Sequence, residues 1–250
     1  MSNLPDWPRP QYADDGCLPF LFFVVYGADA AGMTLSRSKY RCDGIPPGID
    51  LMAYGPDVHP EVADSFRQGY LWEELVRGDI ALAKAIAAQT GCVVVQGNVA
   101  DATSLNYLRD VVGLLTCLLD SGGVAIFDPQ NFRWWSPSVW RERIFNPGLP
   151  VPREHAVILV FPESDGTERL HTRGMRKFGR PDISVHRVPA ALRAAAIEMC
   201  NRFIEHQAAG GVVAEGEQIR MKGLPPGMHC VLRGDEQDPD FNNRHIEVLW

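Results

Sequence analysis

Between Asp101 and Asp120 the chain carries Leu105, Leu108, Val111, Val112, Leu114, Leu115, Leu118 and Leu119. At 3.6 residues per turn these positions cover most faces of one helix, leaving no broad polar stripe for solvent. Such a helix must be covered by other elements. Asp101 or Thr103 is the expected cap, and Gly122-Gly123 ends the helix.

The segments around it supply the cover. Leu18–Tyr26 is a continuous run rich in Phe and Val, of the length of a strand buried on both faces. Residues 91–97 and 124–128 read as two more core strands, and 39–42 and 49–54 as shorter ones. Gly44-Ile-Pro-Pro-Gly48 is a turn. From Pro60 to Gln89 the apolar period becomes helical, with breaks at Gly69 and Gly78. The expected order of the first half is β-β-β-α-β-α-β.

In the second half, residues 155–161 and a partner ending near Arg173 form an expected hairpin, followed by a strand over 182–188. Leu192, Ala195, Ala196, Met199, Phe203 and Ile204 make an i, i+3, i+4, i+7 stripe after Pro189. Strands are expected near 212–221 and 228–233, and a last one alternates Ile246, Val248 and Trp250 inward. The predicted fold class is α+β in two lobes, each a mostly antiparallel or mixed sheet with helices packed on one face. The expected division is an extended arm over 1–17, a lobe over 18–128, a connector with a short helix over 129–152, and a second lobe over 153–250.

Composition narrows the function classes. Of 250 residues, 24 are Lys or Arg and 31 are Asp or Glu, giving −7 at neutral pH. That balance disfavours a general nucleic-acid binder. The most apolar run is too short to cross a membrane, and the first ten residues lack a signal peptide's basic-then-apolar order, so the expected location is cytoplasmic. The cysteines (17, 42, 92, 117, 200 and 230) stand at least 25 apart. That spacing suits buried free thiols rather than zinc or redox chemistry. Nucleotide-binding glycine loops, the nucleophile elbow and the zinc-helix signature are missing, and the histidines never fall at metal-ligand spacing. The expectation is therefore no cofactor and no metal. Asp128 at a strand end, Glu154-His155 and Asn242-Asn243 are carboxylate, base and amide candidates that also suit turns and strand starts.

Two segments stand out. Residues 169–180 carry Arg169, Arg173, Arg176, Lys177 and Arg180 with His171 and no acid, so the rest of the chain totals −12. Like charges this close repel unless they are solvated or meet an anion. The segment is thus a candidate partner- or anion-binding surface. Phe132-Arg133-Trp134-Trp135, with Trp140 and Arg141, has the composition of interface hot spots and equally of packing between lobes. Trp134 and Trp135 join the candidate list.

Within the basic segment, Thr172-x-Gly174-Met175-x-x-Phe178-Gly179-x-Pro181-Asp182 resembles a T-x-G-[LM]-x-x-[FL]-G-x-P-[DE] signature of small, functionally uncharacterised bacterial α+β proteins. The resemblance spans 172–209, including the strand and amphipathic helix that follow. Some of those proteins are found beside bacterial toxins, which implies an immunity or accessory role, and no catalytic residue is carried over. The expected function is a non-enzymatic protein-binding module with a protein partner, the implied form being a toxin-neutralising one. The alternative is a hydrolase or phosphate-ligand enzyme with its site at His171, Arg173, Arg176 and Asp182. The sequence leaves the oligomeric state open.

Overall fold

A computed structural model of the chain describes residues 4–250. Of the expected arm over 1–17, residues 1–3 lie outside the described residues. The fold is α+β with two sheets, and the chain divides into two compact units. Unit 1 comprises 1–7, 20–100 and 104–151. Unit 2 comprises 8–19, 101–103 and 152–250.

Unit 1 is built on a five-stranded sheet of order β2-β3-β1-β4-β5. Its strands are β1 (Phe20–Tyr26), β2 (Ile49–Tyr54), β3 (Cys92–Asn98), β4 (Ala125–Asp128) and β5 (Arg133–Trp135), every pairing antiparallel. The helices are α1 (Arg37–Tyr40), α2 (Pro60–Ser65), α3 (Tyr70–Gly78), α4 (Ile80–Ala87), α5 (Asn106–Asp120) and α6 (Pro137–Trp140). Alternation divides the sheet's side chains between two faces. Val24, Tyr26, Val94 and Phe127 pack with Leu75, Leu82 and Ile86 of α3 and α4. The opposite face meets α5 and α6, with Phe23 edge-on to Trp140. Helices therefore flank both faces of this sheet. Buried without interruption from Tyr107 to Leu119, α5 is as central as its apolar circumference requires.

Three details depart from the reading of this half. Residues 39–42 are not a strand: Ser36 caps the single turn α1, and Arg41 closes it in the left-handed region at φ 53°. Neither Asp101 nor Thr103 caps α5, whose N-cap is Leu105. Asp101 is occupied by two arginines of unit 2. Residues 133–135 are a strand of the first sheet rather than part of a connector, because β5 pairs with β4 over Ile126–Asp128.

Unit 2 carries a six-stranded mixed sheet of order β6-β7-β8-β11-β10-β9. The strands are β6 (Val157–Pro162), β7 (Glu168–Arg173), β8 (Asp182–Val188), β9 (Gln218–Ile219), β10 (Met228–Arg233) and β11 (His245–Leu249), with helices α7 (Pro152–His155) and α8 (Arg193–Ala208). The one parallel pairing joins β8 to β11. Leu170, Ile183, Val185, Val188, Ile246 and Val248 form the core against Ala196, Met199 and Cys200 of α8. The strand expected over 212–221 shrinks to the two residues of β9. Trp250 is 37% exposed, so the inward alternation of β11 stops at Val248. Residues 8–19, expected as an extended arm, belong to unit 2, where Gln11 N donates to Ala209 O and Ala13 N to Gly210 O.

Candidate functional site

The candidate residues of unit 2 lie on β7, β8 and the turn between them. Gly174 opens that turn at φ 110°, and a Cβ there would sit 2.4 Å from His155 O, so only glycine fits. A 3₁₀ turn over Met175–Phe178 follows, and Gly179 closes it in the left-handed region. The hydroxyl of Thr172 donates to Asp182 Oδ1 (2.8 Å) and accepts from Ile183 N (2.9 Å). Met175 N also reaches Oδ1 (3.3 Å), and Asn243 Nδ2 donates to Oδ2 (2.8 Å). The residues carrying the resemblance thus form a latch that fixes the β7–β8 turn.

The basic residues have separate fates. Lys177 is fully buried and donates to His155 O (2.7 Å). Arg180 is also interior. Its guanidinium donates to Asp101 Oδ2 (3.0 Å), Ala13 O (2.7 Å), Gly210 O (3.0 Å) and Gly211 O (3.1 Å). Arg9 takes the other oxygen of Asp101. The remaining three turn toward 236–242. Arg169 pairs with Asp240 (2.8 Å), Arg173 donates to Asp240 O, and Arg176 meets Glu236 (3.0 Å) and Asn242 O (3.2 Å). The anion that the strip needs is therefore largely supplied from within the chain. Asp235, Glu236, Asp238 and Asp240 place four acids in six residues, and that opposite-sign run was the missed signal.

His171 and Asp182 are both inaccessible. His171 is 4% exposed between the rings of Phe161 and Phe241, at centroid distances of 5.4 and 5.0 Å. Burial, reinforced by Arg169 and Arg173, brings its pKa down to about 4, so the ring is neutral at pH 7. Asp182 has no exposed surface, and burial raises it to about 6 against the hydrogen bonds from Asn243, Thr172 and Met175. Neither group can touch a substrate in this arrangement.

Trp134 and Trp135 belong to unit 1, whereas the basic residues belong to unit 2. Trp134 stacks on Phe127 at 4.1 Å and meets Trp72 at 5.7 Å, while Trp135 is buried against Trp140. Both serve core packing. Of the other candidates, Asp128 is buried and accepts from Gln130 N (3.1 Å), as a turn-forming aspartate does. Five cysteines are buried free thiols, and Cys17 is half-buried.

Two surface features of unit 2 bear on function. One is the outer edge of β6. The other, which sequence reasoning missed, is a cleft of about 300 Å³ lined by Glu163, His186, Arg187, Glu247, Leu249 and Trp250. Among the described residues no cluster of three or more His, Cys, Asp or Glu is placed to hold a metal ion. No helix among them is long and apolar enough to cross a membrane. Compared with known proteins, the chain matches no family model, no curated protein and no solved structure.

Proposed function

We propose that this is a non-enzymatic protein-binding module and that β6 is its docking strand. The supporting observation is the character of that edge. β6 pairs only with β7, and its sequence Val-Ile-Leu-Val-Phe-Pro carries no charge. Exposure rises along it, to 38% at Val160 and 47% at Phe161. Soluble proteins ordinarily blunt such an edge with charge, brevity or a mid-strand proline. The other edges here follow that rule: β9 has two residues, β5 three, and β2 carries Asp50. Along β6 the only proline is the last residue. Unpaired backbone groups beside apolar side chains are what strand addition uses.

The chain's charge indicates the kind of partner. With the basic segment occupied internally, the net −7 favours a basic protein offering an extended apolar strand. It disfavours a second copy of this acidic chain. A toxin-neutralising role is the particular form of this reading that the bacterial resemblance implies. The hydrolase alternative loses support because His171 and Asp182 are enclosed.

The test is an amide-resolved NMR titration with two extended peptides of the same Val/Thr core, one flanked by lysines and one by glutamates. The lysine-flanked peptide should shift the amides of 157–162. Val160→Lys with Phe161→Lys should weaken it by about tenfold or more, the scale of one or two lost hot-spot contacts. Equal binding of both peptides, silence of the β6 amides, or dimerisation through β6 would overturn the proposal.

A further inference from the structure

The cleft beside β8 has a local origin in the register of that strand. Ile183, Val185 and Val188 all face the core, a spacing that alternation alone does not allow. The extra residue is taken up by a bulge opposite Arg169, where the β7–β8 register shifts and Arg187 adopts φ 55°. Non-glycine residues rarely occupy that region. The consequence is that two consecutive side chains, His186 and Arg187, line one cleft.

Glu163, from the β6–β7 turn, fastens this geometry. It accepts from Arg187 N at Oε2 (2.6 Å) and meets His186 Nδ1 at Oε1 (2.8 Å), while Thr167 Oγ1 adds a third bond (3.2 Å). His186 first, then the Arg187 amide, holds the Glu163 carboxyl below its usual range. The second carboxylate, Glu247, pairs with Arg233 (3.1 Å). Both acids therefore have cationic or amide partners. Among the described residues the Arg187 side chain forms no hydrogen bond or ion pair; the exposed Asp165 carboxyl feels its charge without a direct contact, so the guanidinium's donors are open at the cleft.

We propose that this cleft binds a small organic monocarboxylate. One guanidinium with no hydrogen-bonded partner matches one negative charge, and its planar fork matches a carboxylate's two oxygens. With Nδ1 committed to Glu163, His186 keeps Nε2 for a second polar contact. Leu249 and Trp250 offer an apolar wall for the ligand's body. A volume near 300 Å³ is at the small end for ligand pockets. This site is independent of the β6 edge, and neither proposal requires the other.

The experiment is an NMR titration of the intact chain with benzoate, acetate and inorganic phosphate, repeated on Arg187→Gly. Glycine accepts the φ of residue 187, so this variant removes the charge without straining the fold. Benzoate should bind saturably and more tightly than acetate, shifting the amides of 163, 186, 187 and 247–250. Arg187→Gly should weaken benzoate by about tenfold or more, the effect of losing a charge-assisted pair, while melting no lower than the parent. Absence of saturation with benzoate, or binding unchanged in Arg187→Gly, would show that the bulge only keeps Arg187 out of the core. Phosphate binding more tightly than benzoate would overturn the carboxylate assignment.

Discussion

His171 and Asp182 both titrate far from their ordinary values, and in opposite directions with pH. The Asp182 carboxyl is raised from 3.8 to about 6, so between those values the native chain holds a proton that the unfolded chain has lost. Stability from this group falls as pH rises through that window. His171 is lowered from 6.5 to about 4, so in its window the unfolded chain holds the extra proton. Stability from His171 therefore rises with pH. Each displacement corresponds to roughly 3 kcal/mol, and the two slopes oppose one another over most of pH 4 to 6. His171→Phe, which keeps a ring between Phe161 and Phe241, removes one of them. Relative to the parent, the variant should gain roughly 3 kcal/mol on going from pH 7 to pH 4. Urea denaturation at both pH values measures this, and a difference independent of pH would refute the assignment of His171 as a neutral buried ring. The sequence placed His171 in a charged segment but could not show its burial. That depends on Phe241, seventy residues away, lying over the ring.

Elements were legible where local chemistry sets both their period and their ends. β8 runs over the expected Asp182–Val188, Gly91 precedes β3, and α3 lies between the helix breaks at Gly69 and Gly78. The unread elements depend on distant pairing. Arg133–Trp135 becomes a strand because β4 is beside it, and residues 214–217 stay irregular because Glu217 Oε2 accepts from Ala214 N (2.9 Å). Helix α8 shows the converse, a correct periodicity that admits a polar residue to the interior. Gln207 continues the stripe of Cys200 and Phe203 by one turn and is fully buried. Neither end of its amide finds a hydrogen-bond partner in the protein. A buried amide without partners is costly, so Gln207→Met, of similar length, should raise stability by about 1 kcal/mol. A lower melting temperature in this variant would show that the amide is satisfied in solution and contributes to the fold.

At the scale of the whole chain, the proline-rich stretch before Pro152 marks where the last continuous piece of unit 2 begins, but it does not make that piece self-sufficient. Residues 8–19 and 101–103 also belong to unit 2, a membership no linker composition reveals. Their role is electrostatic. The Arg9 and Arg180 side chains have no exposed surface, and Asp101, nearly as buried, pairs with both. Ala13 O takes a further Arg180 donor. A fragment of 152–250 would retain the guanidinium of Arg180 without Asp101 or Ala13, and removing one partner from a buried ion pair costs about 3–5 kcal/mol. Such a loss is a large fraction of a typical domain's net stability. The fragment is expected to melt without a cooperative transition, even though it contains the complete six-stranded sheet and α8. In the intact chain, Asp101→Asn should reproduce the loss by leaving two buried guanidinium groups without a counter-charge. Thermal melts followed by near-ultraviolet circular dichroism test both forms. A cooperative transition of 152–250 at the parent's temperature would mean that the two inserted segments decorate unit 2 rather than complete it.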